Sequence, residues 1–160
     1  LVDAVSDMEG VAVFNLYELS QEIAFNIDEW SKIISDASAV IYQFPFYWMS
    51  APSLLKKWQD EVFTFLSKTP AVAGKPLTVV TTTGSEYEAY RSGGRNRFTT
   101  DELLRPYQVN AIHSGMSWQT PIVVYGMGTA DAGKNIAEGA NLYKQRVEML
   151  IGNSNAGNNW

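Results

Sequence analysis

Ala39-Val40-Ile41-Tyr42-Gln43-Phe44-Pro45-Phe46-Tyr47-Trp48-Met49-Ser50-Ala51-Pro52 runs straight into Ser53-Leu54-Leu55-Lys56-Lys57-Trp58. Ala39 to Phe44 is nearly all apolar, as a parallel strand buried on both faces tends to be. Aromatics and a proline then turn the chain. A second proline stands where the first turn of a helix tolerates a missing N–H. The spacing predicts strand, aromatic loop and helix in immediate succession. The helix spans 51–66, with Ser50 as its cap and Leu54, Leu55, Trp58, Val62, Phe65 and Leu66 on its buried stripe. Open parallel sheets bind ligands at such carboxyl ends of strands. This loop sets backbone N–H groups beside flat hydrophobic walls, which suits a planar ring with a polar edge, and a flavin fits that description.

Upstream, Leu1, Val2, Ala4, Val5 and Met8 fall at helical spacing with no capping residue before them, so the chain reads as opening inside a helix. Gly10 stops it, and Val11 to Leu16 reads as a strand. Polar residues around Ser20 to Asp28 form a connection, and Glu29 to Ser35 a short helix. Downstream, Gly74-Lys75-Pro76 turns the chain into a strand over Leu77 to Thr82, which ends in the small polar loop Thr83-Gly84-Ser85. Thr99 to Glu102 has capping-box spacing and opens a helix to about Ile112. A last strand, Pro121 to Tyr125, leads past Gly126 and Gly128 to a helix over 131–151. Asp131 is its N-cap, and Ile136, Ala140, Tyr143, Val147 and Leu150 form its buried face. Four strands alternating with helices predict one three-layer α/β domain with a parallel sheet over 1–151, followed by a flexible Asn/Gly-rich tail at 152–160.

Composition narrows the chemistry. The chain is 46% hydrophobic and 18% charged, an ordinary globular balance. A net charge of −5 and a pI near 4.8 argue against a general polyanion-binding role. No apolar run approaches the roughly 18 residues that span a bilayer. With no cysteine and one histidine, His113, the chain offers no disulfide, thiolate ligand, cysteine nucleophile or multi-histidine metal cage, and no metal site is expected.

Three further motifs carry competing readings. Thr81-Thr82-Thr83-Gly84-Ser85 is explained by β propensity and a turn, yet it ends the strand that follows Ala39–Phe44, so both strand ends would face one crevice. Backbone amides of Phe46, Tyr47 and Trp48 would then meet the ring's polar edge, with Trp48 as a side wall. Otherwise these aromatics cover a sheet edge or a contact between subunits. Gly128 to Asn135 nearly spells a P-loop, but Asn135 replaces the hydroxyl residue that would hold magnesium. Arg91, Arg95, Arg97 and Arg105 form a basic patch around a glycine pair. It is either solvated or a dock for nicotinamide-cofactor phosphates. His113 packs at its helix end, and Phe14 and Phe25 belong to the core.

At these residues the chain resembles the flavodoxin-like NAD(P)H:quinone oxidoreductases, nearest to the bacterial group that includes ancillary subunits of glutathione-gated potassium efflux systems. Gln43 to Trp48 carries the resemblance, with Ala51-Pro52, Leu54-Leu55-Lys56, Trp58 and Val62-Phe63. So do Thr82-Thr83-Gly84, Tyr90, Gly93-Gly94, Leu103-Leu104-Arg105-Pro106, Gly115-Met116, Pro121 and Tyr143 to Arg146. It covers the chain from about Val11 to Leu150. It implies a sheet of order 2-1-3-4-5, whose first strand and phosphate loop have no counterpart in this sequence, so the fold is expected to be N-terminally incomplete. It also implies a homodimer that binds FMN or FAD and passes two electrons, ping-pong fashion, from NAD(P)H to a quinone. By the same resemblance Pro45, Phe46, Tyr47 and Trp48 would line the isoalloxazine. Thr82, Thr83, Gly84 and Ser85 would hydrogen-bond its edge, Ser85 standing where the family usually has a second glycine. Tyr90 would lie over the ring as the catalytic tyrosine. The implied location is cytoplasmic or peripheral at the inner membrane face. Two other roles remain open: a regulatory subunit docked on the cytosolic domain of a potassium efflux transporter, and a flavodoxin-type electron carrier.

Overall fold

The computed structural model describes residues 1–19 and 24–155, and of Leu19 only the backbone. Its sheet is parallel throughout. β1 (Val40–Pro45) pairs with β2 (Pro76–Thr82) in a register that sets Val40 opposite Leu77 and Pro45 opposite Thr82. On the other side of β2, β3 (Ser117–Trp118) pairs with Pro76 and Leu77, and β4 (Ile122–Val124) pairs with Val80 to Thr82. β2 is therefore central and buried along nearly its whole length. Two buried threonines are admitted to it because their hydroxyls are satisfied: Thr78 Oγ1 donates to Thr120 O (3.1 Å) and Thr81 Oγ1 to Phe44 O (2.7 Å).

Helices cover both faces. α1 (Leu16–Leu19), α2 (Ile27–Asp36) and α3 (Ser53–Trp58) precede a π-helical turn, Gln59–Phe63, which continues into α4 (Thr64–Leu66). α5 (Thr100–Leu103), α6 (Arg105–His113) and α7 (Ala132–Asn155) follow. On one face Trp30, Ile34, Leu55, Trp58, Leu66 and Tyr107 pack on Val40, Tyr42, Phe44, Leu77 and Val79. On the other, Tyr143 and Val147 of α7 and Val5 pack on Val80 and Ile122. This is the three-layer flavodoxin-like arrangement, with β2 at the centre of the four strands.

Several elements depart from the sequence expectation, each for a physical reason. Val11 to Leu16 is not a strand: residues 11–15 carry no regular structure, and Leu16 opens α1. Apolar, β-branched composition is a preference that becomes a strand only when a ladder partner meets the backbone. Among the described residues, none pairs with this segment or with the outer edge of β1. Both instead border a cavity of about 780 Å³ that is lined also by Trp30, Ile34, Trp58, Val147 and Leu150. The opening helix is reduced to a 3₁₀ turn, Val2–Ala4. Phe14 is 41% exposed, edge-on to Trp30, rather than core, whereas Phe25 is buried as expected.

The helix after the aromatic loop begins at Ser53, with Pro52 rather than Ser50 at the cap position. The π-helical turn inserts an extra residue into its face. Phe63 thereby rotates into the core, and Phe65, expected there, is left 57% exposed. The capping box is present: Thr99 Oγ1 accepts from Glu102 N–H, and Glu102 Oε2 accepts from Thr99 N–H. Its helix nevertheless breaks at Leu104, because Pro106 has no N–H for the preceding turn. β3 was not anticipated. In α7, Tyr143, Val147 and Leu150 are buried, while Ile136 and Ala140 are half-buried. The helix runs through Gly152 to Asn155, where the sequence suggested a loose tail; residues 156–160 of that tail, like 20–23 of the expected polar connection, lie outside the described residues.

Candidate functional site: an aromatic turn facing a clamped threonine loop

Because β1 and β2 are parallel neighbours, the loops after Pro45 and Thr82 leave the sheet at the same edge. Phe46 N–H donates to Thr82 O (2.9 Å), and the Phe46 ring meets Tyr90 edge-on at 6.2 Å. The two loops that the sequence placed at one crevice are joined.

The aromatic loop is a tight hairpin. Tyr47 N–H donates to Ser50 O (2.9 Å) and Ser50 N–H to Tyr47 O (3.0 Å), while Trp48 and Met49 between them have φ of 48° and 63°. Successive positive φ values mark a two-residue turn of the type that favours Asn-Gly. Holding ordinary residues there costs on the order of 1–3 kcal/mol each. Tyr107 of α6 braces the turn from below: its hydroxyl accepts from Ala51 N–H (3.1 Å) and lies 3.4 Å from Ser50 Oγ. The strain presents Trp48 to solvent at 98% exposure, with Tyr47 and Met49 exposed beside it. Backbone strain concentrated under an exposed aromatic is characteristic of ligand clamps.

The loop after β2 is clamped from the opposite side. Thr83 N–H donates to Val124 O (2.8 Å), and Thr83 O accepts from Met127 N–H (2.9 Å). Gly84 O accepts from Gly128 N–H (2.9 Å), and Ser85 O accepts from Gly126 N–H and Thr83 Oγ1 (both 2.8 Å). Arg95 donates to Ser85 Oγ. The N–H groups of Gly84 and Ser85 have no partner among the described residues, and neither do those of Trp48 and Met49. Of the amides expected to meet a ligand, those of Phe46 and Tyr47 are thus engaged within the protein. The donors that remain are one residue further along the turn and in the threonine loop.

Tyr90 lies beneath this edge, 5% exposed. Burial raises its phenol above the ordinary value, opposed by the Thr83 hydroxyl and by the positive charge of Arg95, so Tyr90 holds its proton and can donate it in a hydrogen bond. Its ring also contacts Tyr125 (5.8 Å), whose hydroxyl pairs with Thr100 Oγ1 (2.6 Å). A small cavity of about 200 Å³ opens at Pro45 and Thr82, bordered by Gln43 and Ile136. The larger cavity along β1 contains none of the threonine-loop residues, and its lining offers the sheet edge rather than the site's chemistry.

Sequence reasoning brought together Pro45, Phe46, Tyr47, Trp48, Thr82, Thr83, Gly84, Ser85 and Tyr90. It did not find Tyr107, Tyr125 or the clamp formed by Gly126 to Gly128. The glycines were the available signal: a Cβ on Gly128 would approach Gly84 O to 3.0 Å, a tight contact that glycine avoids. His113 is exposed at the end of α6, away from any triad geometry. No cluster able to hold a metal exists among the described residues. The basic patch is divided: Arg91 lies over the Tyr87 ring (5.3 Å), Arg95 on Ser85, and Arg105 donates to Gln108 Oε1 (3.2 Å).

A parallel three-layer fold with two loops converging beyond its strand ends defines the class. Residues 1–147 match the family model described as flavodoxin-like fold, and the chain belongs to that family. It is 34% identical over 151 residues to general stress protein 14 of Bacillus subtilis (92% of this chain, 86% of that one). It is 33% identical over 152 residues to the NAD(P)H oxidoreductase YdeQ of the same organism (92% and 77%). To the glutathione-regulated potassium-efflux ancillary protein KefG of Serratia proteamaculans it is 35% identical over 129 residues (78% and 70%). Among solved structures it resembles a chain in the structure of a thermophilic tryptophan halogenase from Streptomycin violaceusniger (TM-score 0.84, 35% identical, 91% and 87%). It also resembles general stress protein 14 of Treponema denticola in complex with FMN (TM-score 0.81, 27% identical, 92% and 87%). A third is an NADPH-quinone reductase from P. pentosaceus (TM-score 0.76, 27% identical, 91% and 84%).

Proposed function

We propose that this chain is a flavin-dependent NAD(P)H oxidoreductase that takes a hydride from NAD(P)H and passes two electrons to a quinone. The observation that carries the reading is the clamped loop at Thr83 to Ser85. Its carbonyls and hydroxyls are engaged within the protein, and it keeps two successive backbone N–H groups, Gly84 and Ser85, for a ligand. The donor set fits a flavin: neutral amides and a protonated phenol for a polar ring edge, and aromatic walls for a flat face. The FMN complex of the Treponema relative and the names of YdeQ and the NADPH-quinone reductase support the same conclusion.

Pro45 to Trp48 would line the ring and Thr82 to Ser85 would meet its edge. A bound flavin, FMN or FAD, supplies hydride-accepting and two-electron donating chemistry. The protein's part is electrostatic and positional. Gly84 and Ser85 N–H are fixed before any substrate arrives, so they stabilise negative charge developing at a ring edge without the reorganisation that water requires. Tyr90 Oη keeps its proton through the working pH range and adds a donor. Trp48 and Tyr47 exclude water from the ring face, where nicotinamide and quinone would stack in turn. That alternation gives ping-pong kinetics in a homodimer.

The test is direct. Purified protein should be yellow with an oxidised-flavin spectrum, and NADPH oxidation with a soluble quinone should give parallel double-reciprocal lines. A colourless protein that cannot be reconstituted with FMN or FAD overturns the reading. The likeness to KefG favours a second role, docking on the cytosolic domain of a potassium efflux transporter at the inner membrane face. No described helix is long and apolar enough to cross a membrane, and pull-down with that domain tests the role.

A further inference from the structure

The segment after Tyr90 is folded back on itself. Gly94 N–H donates to Arg91 O (2.8 Å), Asn96 N–H to Ala89 O (2.9 Å) and Arg97 N–H to Gly94 O (3.1 Å), with Arg97 in the left-handed region at φ 62°. Gly94 admits no side chain: a Cβ there would stand 2.1 Å from Glu88 O and 2.7 Å from Ala89 O. This close packing brings Arg95 back onto Ser85, ten residues earlier, where its guanidinium donates to Ser85 Oγ. An exposed arginine on a hydroxyl contributes little to stability by itself. A backbone folded so tightly to deliver one points to a role in the site that Ser85 borders.

We propose that Arg95 is a positioning residue: by holding Ser85 Oγ it fixes the peptide planes of Gly84 and Ser85, so that their unpaired N–H groups face the bound ring, and it brings a fixed positive charge to that edge. The proposal rests on the flavin reading of the site. The hydrogen bond is charge-assisted, and the fork of the guanidinium restricts its direction more than an ammonium would. Two separable effects follow. The hydrogen bond orders the amides and strengthens binding of the ring in either redox state. The charge acts on the difference between the states, favouring the reduced, more negative ring. The same charge favours ionisation of Tyr90. Glu86 and Glu88, exposed on the same stretch, contribute opposing charge, and Arg95 is the charged group in direct contact with Ser85.

Full-length protein is titrated with FMN by quenching of flavin fluorescence, and the midpoint potential of the bound flavin is measured by dye equilibration. Thermal melting of each variant without FMN reports folding. Arg95→Ala and Ser85→Ala should each weaken FMN binding about tenfold, the worth of one charge-assisted hydrogen bond. The double variant should be no weaker than Arg95→Ala alone, since both remove one contact. Arg95→Ala should also weaken the reduced flavin about tenfold more than the oxidised one, a fall of about 30 mV for a two-electron couple. Arg95→Lys should restore the potential more fully than the affinity, and Arg95→Gln the affinity more fully than the potential. Additive losses in the double variant, or an Arg95→Ala protein with unchanged affinity and potential, overturn the positioning role. A wild-type protein that takes up no FMN in the first titration overturns the flavin reading itself, and the proposal falls with it.

Discussion

Gly139 of α7 lies directly on Val124 of β4: a Cβ on Gly139 would stand 2.2 Å from Val124 Cγ2. Val124 O is also the acceptor for Thr83 N–H, so this helix–sheet contact falls on a residue of the threonine-loop clamp. Gly139→Ala should destabilise the protein by about 1–3 kcal/mol through overpacking, read as a lowered urea midpoint with unchanged slope. Gly139→Ala with Val124→Ala should recover much of the loss. Equal stability of Gly139→Ala and wild type would show that α7 does not press on β4 as described.

The left-handed turn makes stability and binding separable. Met49→Gly should raise stability by about 1 kcal/mol, because relief of a positive φ outweighs the entropy glycine adds to the unfolded chain. Trp48→Ala should leave stability within about 0.5 kcal/mol, since the side chain is exposed, while weakening flavin retention during dialysis. A Trp48→Ala protein that unfolds readily would assign that side chain to structure rather than to a ligand wall.

Tyr90→Phe removes the protonated donor beneath the site and leaves the ring contacts with Phe46 and Tyr125 in place. The expected result is a fall in kcat/KM for the quinone of about a hundredfold to a thousandfold, the range for loss of a single stabilising donor, with the melting temperature nearly unchanged. Steady-state kinetics at several pH values should show no loss of rate as pH rises to the ordinary tyrosine range, because burial keeps Tyr90 protonated there.

Alkaline unfolding follows from the buried phenols. Burial raises Tyr42, Tyr90, Tyr125 and Tyr143, the last to about 12. Unfolding returns each to about 10. Between those values the folded chain holds more protons than the unfolded one, so stability is full below about pH 10 and falls as pH climbs through the folded values. Tyr143→Phe should move the alkaline midpoint measured by circular dichroism to higher pH. A midpoint unmoved or lowered would contradict the burial of that hydroxyl.

Lys75 closes the end of α2. Its Nζ donates to Ile34 O (2.7 Å) and Ser35 O (2.8 Å), pairing carbonyls that the last helical turn leaves open. Lys75→Met should cost about 1–2 kcal/mol in urea unfolding, with flavin content unaffected because α2 does not reach the site.

Much of the sheet, and the placing of the candidate site's two loops, was legible before any coordinates. Val40 to Phe44 and Leu77 to Thr82 are apolar enough to announce buried parallel strands, and Thr99 with Glu102 announces a helix start, because such signals are local. The convergence of Phe46 and Thr82 was also legible, since parallel strands send their following loops to one edge. The P-loop likeness at Gly128 to Asn135 was a composition signal whose glycine serves another purpose, close contact with Gly84.

Local chemistry alone therefore determined which segments are strand, loop and helix, and which side chains could serve a flat polar-edged ligand. Tertiary structure decided the rest. Whether Val11 to Leu16 becomes a strand depends on a neighbour's backbone; whether Phe63 or Phe65 is buried depends on one extra residue in a helical turn. Which amides remain for a ligand depends on hydrogen bonds that the loop makes with Val124, Met127 and Gly128, some 40 residues away. Those partners are set by the folding of the chain in space, and no window of neighbouring residues contains them.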